Sequence, residues 1–205
     1  MDASFWDSRY SHPGYLYGTA PNAFVAASAP LVPTGPVLCL AEGEGRNAVF
    51  FAQRGHAVTA MDQSAIGLAK ATQLAATHHV HLTTIVADLA HFAIQPNTWS
   101  AIVATFLHLP PALRRQVHAR VAAGLRPRGV FLFEAYTPEQ ARYRSGGPID
   151  QPELLARCAD LQKEFPALEL LIARELVRDI NEEPGHRGLS AVVQLAARKP
   201  VSVST

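Results

Sequence analysis

Residues 37–48 read VLCLAEGEGRNA, and this stretch decides the fold. Its first five residues are apolar and lie between Pro36 and Gly43, a pattern typical of a fully buried strand in a parallel sheet. A glycine-rich turn follows, and the apolar pattern of residues 46–54 predicts a short helix that Gly55 ends. The stretch therefore predicts a strand, a glycine loop and a helix in succession.

The same alternation continues along the chain. Further strands are predicted over residues 57–62, 82–88, 99–107 and 130–136. Helices are predicted from Ser64 to about His78 and from Pro110 to about Leu125. Alternation at such short intervals implies right-handed crossovers and a parallel sheet that carries helices on both faces.

The C-terminal part departs from this alternation. Residues 137–166 form a longer insert with a helix predicted over 152–163. Two strand-like runs, 168–180 and 189–198, are joined by the turn-rich residues 181–188, which predicts an antiparallel hairpin whose first strand runs parallel to the earlier ones. The expected fold class is α/β: a Rossmann-like, doubly wound, seven-stranded sheet, mostly parallel, with a C-terminal antiparallel hairpin.

Length and composition describe one folded domain over residues 1–205. Of the 205 residues, 48% are hydrophobic and 17% are charged, which excludes a disordered chain. With a formal net charge of +1, the protein lacks the positive electrostatic field of nucleic-acid-binding proteins, so no nucleic-acid partner is expected. The distant cysteines Cys39 and Cys158 argue for a reducing compartment, and we expect a cytoplasmic monomer or homodimer.

The N-terminal region is unusually poor in charge. No Asp, Glu, Lys or Arg occurs from Tyr10 to Ala41. Five prolines interrupt this stretch, so it cannot form a continuous membrane-spanning helix. The first residues lack the basic and apolar regions of a signal peptide, and no membrane partner is expected.

The charges of the glycine loop discriminate between ligands. Gly43-x-Gly45-x-x-Ala48 matches the dinucleotide-binding pattern, and Asp62 follows Gly43 by 19 positions at the end of the next strand. A pyrophosphate requires a positive environment, whereas Glu42 and its neighbour Glu44 would repel it. S-adenosylmethionine carries a sulfonium and an ammonium group, so this acidic loop suits it better.

The strand ends supply the remaining cofactor contacts. Asp62 is expected to accept hydrogen bonds from both ribose hydroxyls, and Asp88, after the third strand, from the adenine amino group. Glycines allow the backbone to approach the ligand closely. The complete set of candidate cofactor residues is Arg9, Tyr17, Glu42, Gly43, Glu44, Gly45, Asn47, Asp62, Gln63, Asp88 and Leu89.

Three motifs together resemble one family. Residues 37–48 look like the first motif of class I S-adenosylmethionine-dependent methyltransferases, in the form of the tellurite-resistance (TehB-like) and thiopurine-methyltransferase-like branch. Residues 6–10 (WDSRY) and 17–22 (YGTAPN) are similar to that branch's N-terminal signature, and residues 125–129 (LRPRG) resemble its turn before strand five. Many members have Asp where this chain has Cys39, and we expect Glu42 to take over the electrostatic role of that acid.

The resemblance implies a lid and an acceptor site. Residues 1–35 are expected to fold over the cofactor as a lid arm, whose aromatic side chains attract cations. His108, after the fourth strand, is either a general base or a histidine that orders its loop. His186 and Arg187, in the last hairpin, either activate a nucleophile or form a solvated tip. His78, His79 and His81 lack metal-ligand spacing, so no metal is expected.

The sequence therefore predicts an enzyme, a methyltransferase that acts on a small molecule. A thiol, a metalloid or another soft or anionic nucleophile fits the resemblance. Two alternatives stay open: a non-catalytic module that binds S-adenosylmethionine or its product S-adenosylhomocysteine, and an NAD(P)-dependent oxidoreductase that uses the same glycine loop.

Overall fold

The computed structural model describes residues 2–182 and 185–201. Seven strands form one sheet in the order β3-β2-β1-β4-β5-β7-β6. Their bounds are β1 Val37–Leu40, β2 Val58–Asp62, β3 Leu82–Val86, β4 Trp99–Thr105, β5 Leu125–Tyr136, β6 Glu169–Glu182 and β7 His186–Arg198. Strands β1 to β5 are mutually parallel, and β7 lies antiparallel between β5 and β6. The predicted fold class is confirmed.

The helices of the described residues follow the predicted alternation. They are α1 Ala3–Tyr10, α2 Ala23–Ser28, α3 Arg46–Ala52, α4 Ala65–Thr77, α5 Pro111–Gly124 and α6 Cys158–Glu164, with short 3₁₀ helices at Ala29–Leu31, Pro138–Arg142 and Pro152–Leu154. Ser64 caps α4 as predicted, because its hydroxyl accepts from the Gly67 N–H. In the N-terminal arm, Asp2 and Asn22 cap α1 and α2 in the same way. No helix in the described part of the chain is both long enough and apolar enough to cross a membrane.

Strand β1 shows why both faces of the sheet are covered. Val37 and Cys39 belong to one buried apolar cluster, whereas Leu38 and Leu40 belong to the other. Successive side chains of a strand point to opposite faces, so a fully apolar strand must be buried on both sides. The first cluster includes residues of α2, α3 and α4, and the second includes residues of α5 and α6.

The C-terminal elements differ from the predicted ones in length. The helix predicted over 152–163 is broken into a 3₁₀ turn and α6, because the Ala156 N–H donates to the Tyr136 carbonyl and holds the chain between them extended. Both hairpin strands extend further into the predicted turn 181–188 than expected. Within that turn, Glu183 and Pro184 lie outside the described residues, as do Met1 and residues 202–205 of the predicted domain.

Candidate active site

The loop between β1 and α3 has a strained backbone. Ala41 (φ 48°), Gly43 (61°) and Gly45 (93°) all adopt left-handed conformations. A Cβ atom at Gly43 would lie 2.5 Å from the Tyr10 hydroxyl oxygen, and one at Gly45 would lie 2.6 Å from the Ala71 Cβ. Glycine is therefore required at both positions, where the loop packs tightly against the N-terminal arm and α4.

Glu42 caps the start of α3. Its Oε1 accepts hydrogen bonds from the N–H groups of Asn47 (2.9 Å) and Ala48 (2.8 Å). Burial raises the pKa of Glu42 to about 7, although these two N–H groups and the Arg46 charge favour the ionised form. The carboxylate occupies the helix start at which a dinucleotide's pyrophosphate would bind, so the geometry argues against NAD(P). Cys39, whose thiol pKa is raised by burial and by the Glu42 charge, is an uncharged core residue.

Asp62 joins the end of β2 to the glycine loop. Its Oδ2 accepts from the Gly43 N–H and its Oδ1 from the Ser64 N–H, both at 2.8 Å. Burial raises the pKa of Asp62, and the N–H groups of Ser64, Gly43 and Gln63 oppose that shift. A carboxylate has about four lone-pair sites, so Asp62 can still accept a hydrogen bond from a ligand while it fixes the loop.

A cavity of about 490 Å³ opens beside Gln63, the residue after Asp62, at the C-terminal ends of β2 and β3. Its lining residues are Asp2, Ala3, Gln63, Val86, Ala87 and Asp88. Val86 is 58% exposed and gives the cavity an apolar surface. The Asp88 carboxylate is largely exposed and accepts from the Ala90 N–H at 2.8 Å. A flat apolar ring with an amino group at its edge suits this combination of surfaces. The neighbouring Leu89 side chain is buried in the core behind the cavity.

Glu44 anchors the N-terminal arm. Its Oε2 accepts from the Leu16 N–H (2.6 Å), and its Oε1 pairs with the Lys70 ammonium (2.8 Å). Lys70 also donates to the carbonyls of His12 and Gly14. We call these three groups, Glu44, Lys70 and the 12–16 backbone, the arm latch. Both Glu44 oxygens thus bind protein groups, and the structure gives Glu44 a different contact from the expected cofactor contact.

A buried polar network connects the arm, the glycine loop and the sheet. The Asn47 amide accepts from the Asn22 N–H (2.9 Å) and donates to the Thr105 hydroxyl at the end of β4 (3.1 Å). The Asn22 amide donates to Glu134 (2.6 Å), a fully buried carboxylate in β5 that also pairs with Arg178 of β6 (2.8 Å). Sequence reasoning missed Glu134 and Arg178, although an acid inside the apolar run of β5 is a signal of a paired buried charge.

Five rings form an aromatic cluster at the C-terminal ends of β4 and β5. The cluster comprises Tyr17, Phe106, His108, Tyr136 and His186. The His186 ring centroid lies 4.4 Å from those of Tyr17 and Phe106 and 5.6 Å from that of Tyr136. The arm, the β4 end, the β5 end and the last hairpin each contribute to it. The sequence places His108 and His186 far apart, and the fold brings them to the same cluster.

Glu182 holds His186 in the cluster. Its Oε2 lies 3.2 Å from His186 Nδ1 and 2.9 Å from an Arg46 guanidinium nitrogen. Burial alone would raise the pKa of Glu182, but the His186 hydrogen bond and the Arg46 charge lower it to about 2. Burial lowers the pKa of His186, and the Glu182 contact opposes that shift. An ionised carboxylate only accepts hydrogen bonds, so neutral His186 carries its proton on Nδ1 and leaves Nε2 as an acceptor.

The other predicted residues lie around this cluster. Burial, and secondarily the proximity of His186, lower the pKa of His108 to about 4, so its imidazole is neutral and weakly basic at physiological pH. Burial raises the pKa of Tyr17, and the nearby Arg9 guanidinium opposes that shift. The predicted cofactor residue Arg9 is exposed. Of the three catalytic candidates, His108 and His186 belong to the aromatic cluster, whereas the side chain of Arg187 is exposed.

Comparisons with known proteins agree with this geometry. Residues 37–129 match a family model described as a methyltransferase domain. The match runs from the start of β1 into β5 and therefore contains the glycine loop, Asp62 and the 490 Å³ cavity apart from its arm residues. No curated protein sequence matches the chain at a significant level.

Solved structures share the fold of this chain at low sequence identity. A protein studied for the conversion of a disulfide bond into a thioacetal group during echinomycin biosynthesis superposes with a TM-score of 0.77 and 17% identity, over 98% of this chain and 94% of that chain. TehB from Haemophilus influenzae gives 0.71 and 20%, over 96% of this chain and 66% of that chain. The N-methyltransferase NodS from Bradyrhizobium japonicum gives 0.65 and 13%, over 86% and 94%.

The match to a methyltransferase-domain model implies S-adenosylmethionine as the cofactor, and the acids at the strand ends fit this group. Asp62 keeps a lone pair for a ligand, and Glu42 occupies the start of α3. Gly43 and Gly45, in contrast, are buried against Tyr10 and Ala71, so their backbone lacks the predicted open approach to a ligand. Among the residues that the structure describes, no cluster of three His, Cys, Asp or Glu side chains is arranged to hold a metal ion.

Proposed function

We propose that the protein transfers the methyl group of S-adenosylmethionine to a small-molecule acceptor, with a thiol or another soft or anionic nucleophile as the preferred class. One observation carries this proposal. Asn47, at the start of the helix after the glycine loop, donates to Thr105, the residue before Phe106, so the end of the glycine loop lies next to the aromatic cluster. A methyl donor held by the loop would therefore lie beside a ring-lined acceptor site.

Each part of the site has a separate role in this reaction. Bound S-adenosylmethionine supplies a methyl group made electrophilic by its sulfonium. Asp62 and Asp88 orient the nucleoside through hydrogen bonds, with Gln63 and the Leu89 main chain beside them. The arm, with Tyr17 and Arg9, excludes water, and aromatic faces near the sulfonium favour its charge. Alignment of acceptor and methyl group is the main catalytic contribution of such a site.

The protonation states of the cluster support a soft acceptor. His186 Nε2 can accept a proton from a bound thiol, while Nδ1 keeps its own proton and donates it in a hydrogen bond to the Glu182 carboxylate. His108 is too weakly basic to deprotonate an amine or an alcohol efficiently. Arg187 at the rim attracts an anionic acceptor by charge. The similarity to a protein studied for disulfide-to-thioacetal conversion, and to TehB, points in the same direction.

The remaining expectations form part of the same proposal. We also propose that the chain belongs to the TehB-like and thiopurine-methyltransferase-like branch, with a tellurite-resistance-like acceptor chemistry, because its N-terminal signature resembles that of the branch. Residues 1–205 act as a single domain with a lid arm (1–35) and an insert (137–166). The protein works in the cytoplasm as a monomer or homodimer, without a nucleic-acid or membrane partner.

Two measurements test the proposed function. In a thermal-shift panel, S-adenosylmethionine and S-adenosylhomocysteine are expected to raise the melting temperature, whereas NAD and NADP are not. Incubation with S-adenosylmethionine and 4-mercaptobenzoate is expected to produce S-adenosylhomocysteine and the methyl thioether in equal amounts. Stabilisation by the nicotinamide cofactors alone would support the oxidoreductase alternative. Cofactor binding without turnover on any thiol, amine or metalloid anion would support the non-catalytic module.

A further inference from the structure

Two side chains of the aromatic cluster keep their polar atoms without hydrogen-bond partners. Tyr136 is fully buried at the end of β5, and its hydroxyl has no partner within residues 2–182 and 185–201. Both ring nitrogens of His108 are also unpartnered there. The two rings stack almost in parallel, with centroids 5.6 Å apart and an angle of 6° between planes. Ser190 lies near the Tyr136 hydroxyl and the Leu154 main chain lies near the His108 ring, but neither contact reaches hydrogen-bond geometry.

This arrangement is costly for folding, because buried polar atoms in native proteins are nearly always hydrogen-bonded. In the described part of the chain, the two remaining buried atoms of this kind, Trp99 Nε1 and Arg120 Nε, occur singly on other elements. Three such atoms in one place, beside the end of β4, indicate a site whose hydrogen bonds are completed by a ligand.

The protonation states define what this site offers. Burial and the nearby Glu182 carboxylate raise the pKa of Tyr136, so its hydroxyl stays protonated and can donate a hydrogen bond. Neutral His108 offers one donor and one acceptor. The insert closes over the Tyr136 ring through Gly147 (φ 81°), where a Cβ would clash with the ring, so main chain covers the ring at this point. The site thus presents hydrogen-bond donors between aromatic surfaces.

We propose that Tyr136 is an acceptor-binding residue, whose hydroxyl donates a hydrogen bond to the thiolate sulfur or to a carboxylate oxygen of the methyl acceptor, with His108 as the second hydrogen-bonding group. This proposal rests on the proposed function, since it assigns the aromatic cluster to the acceptor. It names an acceptor class: a small aromatic or planar thiol that carries a hydrogen-bond-accepting group.

The test uses Tyr136→Phe, which removes only the hydroxyl, and Tyr143→Phe as a matched control in the insert. The probes are 4-mercaptobenzoate and thiophenol, with S-adenosylhomocysteine formation as the readout. Tyr136→Phe is expected to raise KM for 4-mercaptobenzoate about 10-fold or more, because a hydrogen bond to a charged group is lost. Its S-adenosylmethionine affinity should stay within about twofold of wild type, and its melting temperature should be unchanged or higher. Tyr143→Phe should change none of these quantities.

Two results would overturn the proposal. One is a KM and kcat of Tyr136→Phe equal to wild type on both thiols. The other is a clear fall in melting temperature, since it would show that the hydroxyl has a structural partner. If wild type binds S-adenosylmethionine but methylates neither thiol, the thiol acceptor of the proposed function is refuted. The melting temperature of Tyr136→Phe then still decides whether the hydroxyl is free for a ligand.

Discussion

The partly buried Glu42 carboxyl makes stability depend on pH in a direction opposite to that of most acidic residues. An acid that is stabilised by partners has a lowered pKa and strengthens folding at neutral pH. Burial instead raises the pKa of Glu42 from 4.5 to about 7, so the folded chain holds its proton more tightly than the unfolded chain. Its contribution is therefore fully present below pH 4.5 and is lost as the pH rises towards and through 7.

The magnitude follows from the shift. A change from 4.5 to about 7, at about 1.4 kcal/mol per pH unit, corresponds to about 3 kcal/mol of unfolding free energy. Glu42→Gln keeps an oxygen for the Asn47 and Ala48 N–H groups and removes the titration. Relative to this variant, wild type should lose about 2–3 kcal/mol between pH 5 and pH 8. Arg46, which lowers the shift, and Asp62, which adds to it, are present in both proteins.

Urea unfolding followed by tryptophan fluorescence measures this difference. Wild type and Glu42→Gln are compared at pH 5 and pH 8, with Glu153→Gln as an exposed control. We expect the stability difference between wild type and Glu42→Gln to depend strongly on pH, and that between wild type and Glu153→Gln to be constant. A constant difference for Glu42→Gln would refute the reasoning, since it would show that the carboxyl titrates as an exposed group.

Two further predictions concern the arm and the hairpin. Lys70→Met removes the ammonium group at the centre of the arm latch. Amide hydrogen exchange of residues 5–17 should therefore become faster, and the affinity for S-adenosylmethionine should fall several-fold. Lys163→Met, at an exposed position, should change neither quantity. Unchanged exchange would mean that the latch does not hold the arm. Glu182→Gln removes the negative charge that raises the pKa of His186, so the acidic limb of the pH profile of kcat/KM should move to lower pH. An acidic limb at the same pH as in wild type would show that His186 is not the general base.

The fold was largely predictable because the periodicity of hydrophobic residues, together with the positions of proline and glycine, determines where most strands and helices begin and end. The apolar run of β1 between Pro36 and Gly43 predicts a doubly buried strand, and alternate residues indeed enter the two core clusters. The helix over 152–163 was mispredicted because burial of Leu154–Ala156 and a main-chain bond to Tyr136 override local helix propensity. Such tertiary effects leave no local pattern.

The sequence predicts where the acidic residues of the candidate site lie in the fold, but it does not predict which groups they contact. Both acids lie at the predicted sheet edge, where Asp88 lines the cavity and Asp62 precedes its lining residue Gln63. Glu44 pairs with Lys70, which lies 26 positions away in the sequence. Glu42 accepts its hydrogen bonds from main-chain N–H groups. Neither contact can be predicted from the types of the residues. Tyr136 resembled any other residue of a buried strand, because only the three-dimensional arrangement shows that its hydroxyl is unpartnered.

The most direct measurement is a calorimetric titration of S-adenosylmethionine into wild type and Asp62→Ala. We expect saturable binding at one site of the wild-type protein. The affinity of Asp62→Ala should be at least several-fold lower, because hydrogen bonds to a charged acceptor each contribute roughly 1.5–3 kcal/mol. A matched Asp150→Ala control, at an exposed position, should bind as wild type does. Absence of binding to wild type, or equal binding to Asp62→Ala, would contradict the assignment of this loop and strand end to the cofactor.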